Sequence, residues 1–180
     1  MSSTLGASFV GAKSNYNGRE VELQIWDTAG QERFRSMVPM YLRNSIACIL
    51  VFDITDRQSF SNLSGWINEI ERSDCQPVAL FIMANKSDLE SRRSVDLVEA
   101  KQFAQNHKAH YFETSALTGK GIETAMVHIA DCVLRRVEQT GLDKQAIYLH
   151  SSNTHKHSFQ KQENEEKSAS CVDVRFFDFN

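Results

Sequence analysis

Much of what would assign this chain to a function class at once is missing from it. No apolar run reaches the ~18 residues that a membrane-spanning helix needs. The opening Met-Ser-Ser-Thr-Leu-Gly has neither the basic nor the apolar region of a secretory signal. Basic residues are not in excess: 20 Lys and Arg face 23 Asp and Glu for a net charge of −3, against a general nucleic-acid binder. Residues 140–180 carry 5 basic and 6 acidic side chains, so the tail has no polybasic patch for a lipid surface. The four cysteines (Cys48, Cys75, Cys132, Cys171) show no paired or metal-ligand spacing and read as reduced thiols. Nowhere in the 180 residues is there a Gly-x-x-x-x-Gly-Lys-Ser/Thr, the loop whose backbone cradles phosphates. What remains is a soluble, cytoplasmic protein, large enough for one domain with a real core.

The hydropathy pattern supplies the elements. Ser8–Lys13 and Glu20–Trp26 read as strands around Asn17-Gly18, a strong hairpin signal. Clean alternation in Glu20–Trp26 places that hairpin at a sheet edge. Ile46–Phe52 and Val78–Ala84 are continuous apolar runs, as expected of parallel strands covered on both faces, and His110–Phe112 is a shorter third. Between them Phe60, Leu63, Ile67 and Ile70 mark a helix capped by Ser59. Val95, Val98 and Phe103 mark a second helix after Ser94, and Ile122 to Val137 a third that ends before Gly141. Strand–helix alternation predicts an α/β fold: an open, mostly parallel, doubly wound sheet with ligands at its strands' carboxyl ends. From about Thr140 the pattern stops, which predicts a domain over 1–139 and a variable, largely disordered tail over 140–180.

Three short motifs fall at such strand ends. In Asp27-Thr-Ala-Gly-Gln31, the acid suits a water-mediated Mg²⁺ contact. Gly30 lets a backbone N–H approach a terminal phosphate, and Gln31 can orient an attacking water. In Asn85-Lys86-Ser87-Asp88, the Asp88 carboxylate can accept two hydrogen bonds from the N1 and N2 edge of guanine, a donor pair that adenine lacks. Lys86 has a stem that can cover the base, and Asn85 can tie loops together. Ser115-Ala116 offers backbone N–H groups to guanine O6. Taken singly, Asn-Lys-Ser-Asp also reads as an ordinary turn and Ser-Ala as any small-residue loop. His150, His155 and His157 sit in a polar stretch with no acid or thiol close by, so they are not read as a metal site.

In this order the three motifs resemble those of Ras-like small GTPases. Ile25-Trp-Asp-Thr-Ala-Gly-Gln-Glu-Arg-Phe34, Pro39-Met-Tyr-Leu-Arg43, Phe52-Asp-Ile-Thr55 and Trp66 resemble the Rab branch in particular. Thr4-Leu-Gly-Ala-Ser-Phe9 with Pro39-Met-Tyr41 is similar to its early-endosomal subgroup. The resemblance covers Thr4 to about Gln139. It implies GTP/GDP and Mg²⁺ as cofactors, Thr4 and Asp27 at the metal, and GTP hydrolysis through Gln31. It also implies a role in vesicle-mediated transport on endomembranes, with effectors and exchange and activating factors as partners. Phe9, Trp26 and Tyr41 match the aromatic trio that effectors read, although core packing and a plain polar strand start remain open for these residues and for Thr4.

The same resemblance sets out what is missing. A central strand, the phosphate loop and the first helix would precede Thr4, so the chain reads as a truncated G domain with weak nucleotide binding and marginal stability. Cys171 is followed by nine residues and does not form a terminal prenylation signal. The apolar Val174–Phe179 is a candidate for the vacant strand position, and it carries no Gly-Lys-Ser that would restore the phosphate cradle. Two functions follow: a GTP/GDP switch, or a non-hydrolysing module that acts only by binding proteins. A monomer is the default state for either.

Overall fold

The computed structural model describes residues 7–16, 19–29, 42, 45–73, 79–140 and 170–178. They form six strands and three α-helices: β1 Ala7–Tyr16, β2 Arg19–Ala29, β3 Ala47–Asp53, α1 Arg57–Arg72, β4 Ala79–Asn85, α2 Leu97–Asn106, β5 His110–Glu113, α3 Ile122–Thr140 and β6 Ser170–Asp178. A 3₁₀ segment, Ser87–Arg92, follows β4. The strands make one sheet in the order β1-β2-β6-β3-β4-β5. Only the β1–β2 pair is antiparallel, as the hairpin signal predicts, and its register closes at Tyr16↔Arg19. Asn17 and Gly18 themselves lie outside the described residues.

The two-sided apolar runs are covered on both faces, and period-2 geometry divides their residues between them. Cys48, Leu50 and Phe52 of β3, with Ile82 and Ala84 of β4, bury against Leu63, Trp66, Ile67 and Ile70 of α1 and Ala100 and Ala104 of α2. Ala47, Ile49, Val51, Phe81 and Met83 bury on the other face against Ala125, Ile129, Ala130 and Val133 of α3, together with Leu23 of β2. Phe60 links α1 to β3 and α2, with ring centroids 5.1 Å from Phe52 and 5.2 Å from Phe103.

Two helix starts differ from expectation. Asp56, not Ser59, caps α1, its carboxylate accepting from the Gln58 N–H at 2.9 Å. Ser59 is inside the first turn and buried, accepting from the Asp53 N–H at 3.0 Å and donating to the Asp56 carbonyl at 2.8 Å. Asp and Ser are comparable capping types, but the Ser59 hydroxyl is taken up by the Asp53 N–H and the Asp56 carbonyl, which leaves the cap to Asp56. At α2, Asp96 is the cap, accepting from Val98 and Glu99 N–H groups at 2.8 and 3.1 Å. Val95 just before it and Ala100 in the next turn are both buried, a hydrophobic staple. Val98 then falls on the outer face and is 73% exposed rather than in the core.

The largest difference is at the end of the chain. Residues 170–178 are not a tail apart from the domain. They form β6, parallel to both neighbours, running from Val21↔Ser170 to Ala29↔Asp178 on β2 and from Ala47↔Val174 to Val51↔Asp178 on β3. The physical reason is backbone pairing. Without β6, the facing edges of β2 and β3 would be unpaired in the middle of the sheet, and the apolar alternation of residues 172–176 suits a strand. The position read as vacant is therefore filled from the other end of the sequence.

If β6 is integral, the amides of 170–178 exchange hydrogen as slowly as those of 47–53; fast exchange there overturns the placement. Val174→Pro removes a donor from a strand paired on both edges. It should lower the unfolding free energy by at least about 2 kcal/mol in urea titrations.

Candidate functional site

Parallel strands deliver their carboxyl ends to one rim of the sheet, and here β3, β4 and β5 end at Asp53, Asn85 and Glu113. The loops beyond them are stitched together by the backbone. Ile54 N–H donates to the Asn85 carbonyl at 3.1 Å, Ser87 N–H to Thr114 at 3.0 Å, and Thr114 N–H to Ala84 at 2.8 Å. Thr114 and Ser115 are fully enclosed and Ser87 is buried. This rim is preorganised rather than loose.

Side chains then clasp the two motif loops. Asn85 Oδ1 accepts from the Ala116 N–H at 3.0 Å. Ser115 Oγ donates to Asp88 Oδ1 at 2.5 Å and accepts from the Thr118 N–H at 3.1 Å. Asp88 is exposed, and its second oxygen accepts no hydrogen bond among the described residues. An ionised carboxylate has about four lone-pair sites, so the contact to Ser115 leaves room for the two guanine donors. The donor and acceptor chemistry at this point fits a guanine edge.

Two details depart from the sequence-based expectation. The N–H groups of Ser115 and Ala116, expected to face guanine O6, are both engaged, Ser115 with the Lys120 carbonyl at 2.9 Å and Ala116 with Asn85. A base oxygen must share the Ala116 donor or displace Asn85 from it. Lys86 stands in the left-handed region (φ 62°, ψ 32°), and its ammonium lies 2.6 Å from Asp53 Oδ2. Such a backbone is costly for a non-glycine residue and persists only where surroundings over-determine it. Here the ion pair ties the end of β4 to that of β3.

Asp53 is the residue that sequence reasoning passed over as an anchor; an acid ending a fully buried strand was the available signal. Its side chain is 8% exposed. Burial alone would raise its pKa, but the Lys86 ammonium and the Thr55 N–H and hydroxyl, both 2.7 Å away, outweigh this and hold it below the ordinary carboxylate value. Gly121 was missed as well. With φ +75°, it passes so close to β5 that a Cβ would lie 2.2 Å from the Glu113 carbonyl oxygen. This lets the 115–120 loop fold back onto the strand. Behind it Arg93 bridges Glu90 and Glu113, at 2.6 and 2.8 Å. Burial, then the Glu113 carboxylate beside it, raises the Tyr111 hydroxyl's pKa.

Of the residues expected at the phosphate and the metal, only the backbone of Asp27 falls among the described residues. Thr4, Gly30, Gln31 and Tyr41 lie outside the described residues. The backbone of Asp27 is in β2, in register with Ser8 and Phe176, and Phe9 pairs with Trp26, which is half-buried. β6 ends at Asp178, opposite Ala29 and Val51.

An open α/β sheet with a clasped pair of loops on its carboxyl rim places a candidate ligand site where sheets of this kind bind their ligands. The Ras family model matches residues 1–135. Ras-related protein Rab-4A of Homo sapiens and of Bos taurus are each 40% identical over 144 residues, covering 80% of this chain and 66% of those proteins. Rab-4B of Homo sapiens is 38% identical over 144 residues, 68% of its length. The chain belongs to the Ras family of small GTPases, in its Rab branch, and it spans about 66% of the length of the Rab-4A relatives.

Lys86→Met leaves Asp53 buried with one support fewer, at an expected cost of about 1–3 kcal/mol at neutral pH, reduced because the lysine is part-exposed. The Asp53 carboxyl is depressed in the folded state, so its contribution exists above the unfolded value and disappears as pH falls through the folded one. The wild-type-minus-variant difference in urea unfolding should therefore narrow below about pH 4; a constant difference refutes the coupling. Gly121→Ala should cost about 2–3 kcal/mol. Gly119→Ala, at φ +78° but with nothing within 4 Å of the added Cβ, should cost about 1 kcal/mol, both read from thermal unfolding.

Proposed function

We propose that this chain recognises the guanine base of GTP and GDP between the 85–88 and 115–116 loops. As a Rab-type protein it would serve as a guanine-nucleotide switch in vesicle-mediated intracellular transport. The observation that carries this reading is the Asp88–Ser115 contact at 2.5 Å with the parallel Asn85–Ala116 contact at 3.0 Å, which hold the guanine-reading carboxylate beside the small-residue loop. Asp88 would accept from N1 and N2, the Lys86 stem would flank the ring, and the Ala116 N–H would meet O6. Thr4 and Asp27 would hold Mg²⁺, Gly30 would approach the terminal phosphate and Gln31 would position water. Bound Mg²⁺ would supply neutralisation of phosphate charge. The protein would act as a monomer, cytoplasmic and peripheral to endomembranes, through effectors and exchange and activating factors.

A specific observation favours a second reading. The 180 residues contain no Gly-x-x-x-x-Gly-Lys-Ser/Thr, and the strand in the middle of the sheet ends at an aspartate rather than at a glycine-rich turn. A protein of these residues would grip the base and hardly the polyphosphate. It would then act chiefly by binding partners through Phe9, Trp26 and Tyr41.

Titration of the full chain with GTP, guanosine and ATP in Mg²⁺ buffer separates these. Base recognition predicts at least a tenfold preference for GTP over ATP, lost in Asp88→Ala; equal affinities refute it. Weak polyphosphate grip predicts GTP within about tenfold of guanosine. A GTP affinity of −8 kcal/mol or better, submicromolar Kd, overturns that and with it the second reading.

A further inference from the structure

At the amino end of β5, the end of the strand away from the 114–121 loop, three metal-ligating side chains meet that the nucleotide site does not use. His110 opens β5, and His128 and Cys132 lie one turn apart on α3. His128 Nε2 is 3.2 Å from His110 Nδ1, and Cys132 Sγ is 3.7 Å from His110 Nε2. One donor atom from each residue can be chosen so that all three lie within 4.8 Å of one another. Cys132 is a free thiol.

We propose that His110, His128 and Cys132 form a binding site for a divalent cation of the zinc type. The donor set is one that such an ion selects: two neutral imidazoles and a thiolate. Zn–N bonds of about 2.05 Å and Zn–S bonds of about 2.3 Å, at tetrahedral angles, place neighbouring donors about 3.3–3.6 Å apart. The 3.2 and 3.7 Å contacts reach the two different nitrogens of His110, and with one donor taken from each residue the three atoms lie within 4.8 Å of one another. His110 gives only one of its nitrogens to an ion, so closing the trio draws the widest pair inward by roughly an ångström, within the reach of a ring rotation. Binding replaces the Cys132 S–H bond with an S–metal bond, and the proton leaves to solvent.

The surroundings suit an ion held at the surface. Phe81 stacks on His110 with centroids 5.0 Å apart, and Phe112 lies 5.4 Å from the His128 ring, so both imidazoles sit beside aromatic rings. His110 is exposed while His128 and Cys132 are half-buried, which leaves a fourth coordination position to water. The adjacent acid Asp131 is bound to Arg135 at 2.8 Å and does not join the donors. An ion here would pin the start of β5 to the middle of α3, joining groups 18 and 22 residues apart in sequence.

Cobalt(II) tests this on the full-length chain, because a thiolate ligand gives an intense near-ultraviolet charge-transfer band that histidines alone do not. The expected result is a band that saturates at one equivalent and is abolished by Zn²⁺. It should be absent in Cys132→Ser and kept in the triple variant His150→Gln, His155→Gln, His157→Gln. Zn²⁺ at a hundredfold excess over Kd should also raise the melting temperature of the native chain, on the order of 5 °C, and leave that of His128→Gln unchanged. This holds provided that the variant's metal-free circular dichroism matches the native chain's. No cobalt–thiolate band at millimolar metal, or a band that survives in Cys132→Ser, overturns the proposal, and GTP affinity has no bearing on either outcome.

Discussion

A peptide group buried in the middle of a sheet has to find a partner, and the architecture of this chain depends on how that demand is met. β2 presents one unpaired edge to the centre and β3 another. β6 lies between them, in register with nine residues of β2 and five of β3. Through it the β1–β2 hairpin is hydrogen-bonded to the β3–β4–β5 block. Without it the hairpin would keep side-chain packing such as that of Leu23 against α3, but no backbone link. Each of the site loops hangs from a strand in the block that β6 completes.

How much of this could be read beforehand differs by element. β3 and β4 were legible because a strand buried on both faces has an uninterrupted apolar run, and the division of 47, 49 and 51 from 48, 50 and 52 follows from the pleat. The hairpin was legible because only a few residue pairs accept a tight turn. The helix starts were less so: Ser59 and Asp56 are both good capping types, and which one caps depends on the Asp53 N–H, a tertiary partner that local pattern cannot supply. Val98 was misplaced for a similar reason, since the staple through Val95 sets the phase of α2. β6 was only a candidate, because polar residues surround it in sequence and its two partners are more than a hundred residues away.

The site shows the same division. Motif order marked Asn85, Asp88 and Ser115, whose residue types state their chemistry, and they stand together in space. It could not show that the Ser115 and Ala116 donors are already engaged, nor that the Lys86 charge is committed to Asp53. Those are contacts between strand ends that meet only through the sheet. His110, His128 and Cys132 illustrate the point further. His128 and Cys132 stand four residues apart on one helix, a step passed over because the third donor arrives from a neighbouring strand.

The chain path through β6 also bears on how the protein comes into being. Synthesis proceeds from the amino end, so β2 and β3 emerge long before the strand that separates them. Throughout that interval two apolar, hydrogen-bond-hungry borders face one another across a gap, open to other chains or to each other. Long-range closure of this kind is slow and exposes intermediates to aggregation. Closure of the whole sheet is therefore a late event governed by the arrival of one short segment.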